Sequence, residues 1–457
     1  MRNDKDRAEN LLRLGGGSAC PGERIEPAIE LVEKGNIDYI VFDSLSESEM
    51  LAFERHKMSR PGEGYDTYTE RRLRRIWPQC ASNGTRIIGN MGAANPRGAQ
   101  ELAIRVAREL GLSGQRVAAV LGDNVLDSVR ELNPVVNETQ EPVSAFGVRL
   151  IAAHAYIAAD PIVDALQQGA DLVITGRVGD ASLFLAPMVH EFGWEEDDWD
   201  LLAKGIVLGH LFECAGQVTG GYFADPPHKV VPELHRLGFP IAEIAADGQM
   251  VVTKTPGSGG VVSPATCAEQ MLYETDDPAN YIEADVIADF SDIGFEQVGR
   301  DRVAITGTVR GKPKPEMLKV NLGVREGFRA EGTVFYAGPG AHERAKLAAD
   351  VIRKRLEQVT HLKADALRFD LIGISALYGP ANVANGPPWE VGLRVAGRTQ
   401  ERAEAWKIMH ELETIDNNGP AAIGRGLRSE AITEILGYYS TFIPREAVNT
   451  EVIVEEA

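Results

Sequence analysis

Four apolar runs in this chain end the same way. Ile37-Asp38-Tyr39-Ile40-Val41-Phe42 stops at Asp43, and Arg86-Ile87-Ile88 stops at Gly89-Asn90. Arg116-Val117-Ala118-Ala119-Val120-Leu121 stops at Gly122-Asp123-Asn124, and Leu172-Val173-Ile174-Thr175 stops at Gly176-Arg177. An unbroken apolar run of this length is the mark of a parallel strand covered on both faces. Each run is followed by a polar loop and then a helical pattern. The device recurs every 30–60 residues or so, which predicts an open, mainly parallel α/β sheet. In such sheets ligands bind at the carboxyl ends of the strands. Ser18, Asp43, Asn90, Asp123, Asn124, Arg177 and Asp180 are therefore expected along one edge.

Past Asp225 the pattern changes. Pro and Gly become dense, and residues 301–338 alternate apolar and polar between turn signals, as β-structure does. A well-formed amphipathic helix follows Gly340. From about Phe369, two strands and a long helix (Gln400 to Asn417) read as a small α+β unit. The expected division is 1–225 for an α/β substrate-site domain, 226–362 for a β-rich segment packed on it, and 363–457 for a small α+β domain. At 457 residues the chain is too long for one hydrophobic core.

The formal net charge of −20 is dispersed along the chain, which argues against nucleic acid and an anionic membrane as partners. It leaves room for an anionic small molecule held by local Arg residues. Cys20, Cys80, Cys214 and Cys267 form no CxxC pair, so neither a disulfide framework nor a zinc knuckle is indicated. The N-terminus has no apolar leader core, and no run reaches the roughly 18 apolar residues of a membrane span. A cytoplasmic location is the expectation, with homo-oligomerisation expected only from the general habit of proteins of this size.

The stretch from Val173 to Asp225 concentrates reactive side chains among glycines. Arg177 suits two-pronged recognition of a carboxylate or phosphate, or else pairs with Asp180 to fix its loop. His210, Glu213 and Cys214 stand at i, i+3 and i+4, on one side of a helix. His210 or Glu213 reads as the proton-transfer group and Cys214 as a small buried hydrophobe, with Asp180 or Asp123 orienting water or the Arg. A metal-dependent hydrolase using His210 and Cys214 is a rival, although no metal is expected because the spacing is awkward for joint chelation. His154 stays open between ligand and structural roles. Asp160, before Pro161, reads as a helix N-cap.

Gly15, Gly16, Gly17 and Ser18 before a helix read as an anion-holding loop or a tight turn. The dinucleotide pattern G-x-G-x-x-G fails at Cys20, and no Gly-Lys-Ser/Thr occurs, so no nucleotide cofactor is expected. Thr219, Gly220 and Gly221 allow close backbone approach to a ligand or form a turn; so does Gly257-Ser258-Gly259-Gly260. With Asn90, Asn124 and His154, these residues complete the expected substrate contacts.

Taken together, RLGGGSACPGERIEPAIELVEKGNIDYIVFDSL, GNMGAANP, ITGRVGDASLFLAPMVHEFGW and GHLFECAGQVTGGYFADP resemble the acyclic terpene utilisation (AtuA-like) family over about residues 10 to 350, with the tail expected to belong to it as well. Relatives often read Gly-Phe-x-Gly-Asp where this chain has Ala19-Cys20-Pro21-Gly22-Glu23. The resemblance implies bacterial breakdown of branched or terpenoid acids as CoA thioesters, often with a short companion subunit. It is compatible with a lyase or hydratase, or with a non-catalytic large subunit that binds substrate or scaffolds a partner.

Overall fold

The structure, a computed structural model, describes residues 11–379, 388–425 and 432–457. The first ten residues, on which the expectation about a leader partly rests, lie outside the described residues. The chain forms two compact units. Unit 1 comprises Met1–Gly147, Ala152–Leu322 and Tyr438–Ala457; unit 2 comprises Val148–Ile151 and Gly323–Gly437.

Unit 1 opens with β1 (Leu12–Ser18), α1 (Ile25–Lys34), β2 (Tyr39–Phe42), α2 (Glu47–Ser59), α3 (Thr69–Asn83), β3 (Arg86–Gly89), α4 (Pro96–Glu109) and β4 (Arg116–Leu121). It continues through α5 (Leu126–Leu132), β5 (Leu150–Ala155), α6 (Asp160–Gln167) and β6 (Leu172–Thr175). Strands β4, β6, β3, β2 and β1 lie side by side in that order, all parallel. Alternate residues of these strands face opposite helical layers, as the two-residue period of a strand requires. Tyr39 and Val41 join a core with α6 and the two helices that follow it, α7 (Ser182–Phe192) and α8 (Trp199–Glu213). Ile40 and Phe42 join a core with α1, α3 and α4. The α/β class and the parallel block are those expected.

The remainder of unit 1 extends that sheet with antiparallel strands. Beyond β1 come β7 (Pro240–Ile244), β8 (Met250–Lys254), then, across α9 (Pro264–Leu272), the strands β9 (Tyr281–Ile282), β10 (Ile287–Gly299) and β11 (Arg302–Lys312). At the opposite edge the C-terminal strand Glu451–Glu456 runs antiparallel to β4, completing eleven strands. The boundaries expected at 225 and 362 therefore do not coincide with the observed units. Residues 226–322 continue the first sheet because β7 hydrogen-bonds along β1, and the chain returns to unit 1 at its end.

Unit 2 holds parts of β12 (Met317–Ala337) and of β16 (Thr433–Pro444), with α10 (Ala341–Gln358), β13 (Ala366–Ile372), β14 (Glu390–Thr399), α11 (Arg402–Asn418) and β15 (Ile423–Arg425) between them. Ala330, Val334 and Tyr336 of β12 and Val391, Leu393 and Val395 of β14 share one face, which α10 and α11 cover. Among the described residues, no helix is long and apolar enough to cross a membrane.

Two local expectations are corrected. Gly15–Ser18 is no loop but the end of β1, and the space a side chain would need is already filled. A Cβ on Gly16 would meet the Phe212 carbonyl and Pro240 at 3.2 Å, and one on Gly17 would stand 2.6 Å from the Phe42 ring. Asp160 does not cap its helix: α6 begins at Asp160 after Ala159, with no side-chain cap. The free N–H of Ala159 instead donates to Asp285 Oδ1 at 2.8 Å, so a distant carboxylate takes the capping role.

Gly17→Val is expected to destabilise the protein by about 1–3 kcal/mol through forced overpacking against Phe42. Gly22→Ala, whose added Cβ would lie 3.6 Å from Tyr68, should leave stability unchanged. Urea denaturation of the two variants checks this; equal midpoints would contradict it.

Candidate functional site at the strand carboxyl ends

Strands β1, β2 and β3 bring Ser18, Asp43 and Asn90 together. Ser18 Oγ donates to the Asp43 carbonyl at 2.7 Å and lies 3.3 Å from Ser44 Oγ. Asn90 Nδ2 donates to Asp43 Oδ1 at 2.6 Å, while Asn90 Oδ1 accepts from the Ser44 N–H at 2.7 Å. All four side chains are buried. Burial pushes the Asp43 carboxyl up to about 7, and the Glu213 charge adds to this; Arg177 and the Asn90 hydrogen bond oppose it. Burial thus favours the protonated form of Asp43.

The ends of β4 and β6 meet at Asp123. Its Oδ2 accepts from the Arg177 backbone N–H at 3.0 Å and lies 2.9 Å from His154 Nδ1. Gly176 makes this possible, since a Cβ there would stand 2.5 Å from the Asp123 carboxylate. His154 comes from β5, which is tied to the same loop by the Ala155 N–H donating to the Asp123 carbonyl at 2.7 Å. On the other side of the imidazole, Nε2 is 3.4 Å from Glu54 Oε2. Burial works against the imidazolium, but Asp123 and Glu54 outweigh it and raise His154 to about 9. Neighbouring Asn124 is turned to its own chain, its Oδ1 accepting from the Leu126 N–H at 3.3 Å.

Arg177 is fully buried. Its guanidinium donates to the carbonyls of Val178 and Leu45 and to the Asp180 carboxylate. These contacts occupy four of its five N–H donors. Arg177 therefore holds its loop and supplies positive charge, and it stacks over the Tyr156 ring at 4.6 Å. The Tyr156 hydroxyl donates to Glu47 Oε1 at 2.6 Å, and Lys319 Nζ is 3.2 Å from the same oxygen. Burial raises the Glu47 carboxyl, but these partners overcome it and hold it at about 2.

The last turn of α8 carries the second group. His210 Nδ1 is 2.9 Å from Glu213 Oε1 and 3.1 Å from the Tyr281 hydroxyl, and Thr275 Oγ1 lies 3.4 Å from Nε2. Burial disfavours the His210 imidazolium, but Glu213 more than compensates, so its pKa rises. Two residues on from Tyr281 comes the half-buried Glu283, followed by the buried Asp285. Glu283 is raised to about 7 by burial, Glu213 and Asp285; Asp285 is raised to about 6 by burial, against hydrogen bonds from Ser182 and Ala159. Glu213 acts on Asp43, His210, Tyr281 and Glu283 at once, and so joins the two groups electrostatically. Burial and Glu213 drive the Cys214 thiol far up, which keeps it protonated rather than nucleophilic.

The glycine turns expected at the site are spent on one another. Thr219 Oγ1 donates to the carbonyls of Gly216 and Gly238, and a Cβ on Gly260 would stand 2.6 Å from the Thr219 carbonyl. Added Cβ atoms on Gly220 and Gly221 would meet Val231 and the Gly216 carbonyl at 2.8 Å. Thr219, Gly220 and Gly221, like Gly16 and Gly17, are packed against protein.

The structure thus gathers Ser18, Asn90, Asp123, His154, Arg177 and Asp180 along the edge, and His210 with Glu213 on α8. Sequence reasoning missed the part of Asp43 as a titrating group and omitted Glu54, Tyr156, Tyr281, Glu283 and Asp285. The signal for the last two was an acid pair, Glu283 and Asp285, flanked by apolar residues in a segment read as β-rich. Among the described residues, no three His, Cys, Asp or Glu side chains are placed to hold a metal ion. What the arrangement offers is proton transfer: the carboxyls of Asp43, Glu283 and Asp285 are pushed up toward neutrality, beside two imidazoles whose charged forms are favoured by neighbouring carboxylates.

Comparison with known families matches residues 12–454 to the family described as acyclic terpene utilisation family protein AtuA, the tail included. No curated protein and no solved structure matches the chain.

The charged His154 makes stability fall with rising pH. Its folded pKa lies above the ordinary histidine value, so its contribution is complete below about pH 6.5 and is lost as pH rises through about 9. The contribution is on the order of 3 kcal/mol. Chemical denaturation between pH 6 and 10 should show wild-type stability dropping toward that of His154→Gln; parallel curves would contradict the buried imidazolium.

Proposed function

Because the chain belongs to the acyclic terpene utilisation family AtuA, we propose that it is an acid–base enzyme of branched or terpenoid acid breakdown. The reaction class proposed is addition or elimination of water on an unsaturated acid or its CoA thioester. The observation that carries this reading is Asp43, a buried carboxyl at the strand edge held at about 7 beside Asn90, Arg177 and Glu213. In the hydration direction, Glu213, braced by His210 at 2.9 Å, takes a proton from water as the oxygen bonds to one alkene carbon. Asp43 gives its proton to the other carbon. Dehydration is the same path reversed, and neither direction needs a redox cofactor.

A second reading is a large subunit that binds substrate or scaffolds a small companion protein. The saturation of Arg177 by Leu45, Val178 and Asp180 favours it, since that guanidinium keeps little capacity for a ligand. Assays of the chain alone and with its short neighbour separate the two.

A thermal-shift screen with branched unsaturated acids and their CoA thioesters identifies the substrate. Asp43→Asn keeps the Asn90 hydrogen bond and removes only a half-populated charge, so the fold should survive. Its turnover should fall by about 10²–10⁴-fold. As the acid form of Asp43 is the active one for hydration, wild-type rate should decline as pH rises through about 7, and the variant should lose that limb. Full turnover in both Asp43→Asn and Glu213→Gln would sink the proposal.

A further inference from the structure

His210 meets two groups through one nitrogen. Its Nδ1 is 2.9 Å from Glu213 Oε1 and 3.1 Å from the Tyr281 hydroxyl. On the other side of the ring, Nε2 faces Thr275 Oγ1 at 3.4 Å. The Thr275 hydroxyl already donates to the Met271 carbonyl at 2.9 Å, so toward Nε2 its oxygen is an acceptor. Nε2 therefore keeps its proton, and Nδ1 is the nitrogen that gains or loses one.

The contacts continue past Nδ1. The Tyr281 hydroxyl lies within hydrogen-bonding reach of the Glu283 carboxyl. Glu283 is held in the turn between β9 and β10, where its N–H donates to the Val286 carbonyl at 3.1 Å. Its carboxyl lies against Gly179, where a Cβ would stand 3.0 Å from Glu283 Oε2. Burial drives the Tyr281 phenol far up, and Glu213, Glu283 and Glu274 add to this, so the hydroxyl passes a proton by taking one as it gives one, not as a phenolate. Burial, with the charges of Glu213 and Asp285 and against that of His210, favours the protonated form of Glu283, which makes it a ready acceptor. Glu283 is only half-buried, so the far end of the chain of contacts reaches solvent.

We propose that Tyr281 and Glu283 form a proton relay that unloads Glu213, through His210 Nδ1 and the Tyr281 hydroxyl to the Glu283 carboxyl. First the Tyr281 O–H bond breaks toward Glu283 while the Nδ1 proton of the imidazolium moves to the Tyr281 oxygen. Nδ1 then takes the proton of Glu213, which returns to carboxylate. The imidazolium and the phenol are restored, and Glu283 ends as the acid and gives its proton to water. Tyr281 and Glu283 act through Glu213 and not on substrate. The need to unload Glu213 rests on the acid–base reading, but the relay itself stands on these contacts.

The test is the exchange of the His210 ring protons with water, read by ¹⁵N NMR of the full-length protein at pH 6, where the raised pKa keeps the imidazolium. Tyr281→Phe removes the hydroxyl but keeps the ring that packs 5.1 Å from His210 and 5.5 Å from Phe290. Glu283→Gln keeps an acceptor for Tyr281 but cannot carry the proton away. Each should slow exchange of the Nδ1 proton by about tenfold or more and leave the Nε2 proton, held at Thr275, unchanged. Because the two links act in series, the double variant should be no slower than either single one. Wild-type Nδ1 exchange in Tyr281→Phe, effects that multiply in the double variant, or equal slowing of both ring protons overturns the relay. Exchange is read without substrate, so the two readings fail separately. Unchanged exchange in a protein whose turnover depends on Asp43 removes only the relay. Slowed Nδ1 exchange in a protein whose Asp43→Asn variant is fully active removes only the acid–base reading.

Discussion

The Asp123 carboxylate is the joint on which the site edge depends. One of its oxygens serves both the Arg177 N–H at the end of β6 and the His154 imidazole brought in by β5. That charge ties the loop carrying Arg177 to the strand carrying His154, and the Gly179 N–H donating to the Ile157 carbonyl at 3.0 Å ties them again just beyond it. Everything downstream follows from their positions. Arg177, fixed by its loop, places positive charge near Asp43 and Glu47; His154, charged, reaches Glu54. A buried carboxylate is tolerable only when such partners surround it, and Asp123 has them.

Asp43, Glu283 and Asp285 are less fully compensated, and all three are pushed upward by burial. A fold selected only for stability would replace them with apolar residues. Glu213 raises Asp43 and Glu283 further, and the proposed acid–base role gives a reason for keeping such costly acids. The His210–Tyr281 contact belongs to the same economy, since it orders the imidazole that braces Glu213.

The parallel block was legible because its signal is local. Each apolar run ended in a polar residue, and the parallel register then placed those residues side by side without further information. The placement of His210 and Glu213 on one helix turn was legible for the same reason. The glycines were not, because a glycine in a sequence says only that a side chain is missing. At Gly17 the missing volume is taken by Phe42 and at Gly260 by the Thr219 carbonyl, contacts between segments far apart in the chain. The same limit hid Asp285, which caps α6 across more than a hundred residues, and led Asp160 to be read as the cap. Domain edges failed similarly: alternation revealed strands in 226–322, but only pairing of β7 with β1 assigns them to the first sheet.

The central claim is that Asp43 carries a proton close to neutrality within the folded protein. Carbonyl-region ¹³C NMR of protein labelled at aspartate carboxyls, titrated from pH 4 to 9, tests it directly. The account predicts an aspartate signal that titrates near pH 7 and vanishes in Asp43→Asn, while the signals of exposed aspartates titrate near pH 4. A spectrum in which every aspartate has ionised by pH 5 would contradict the account.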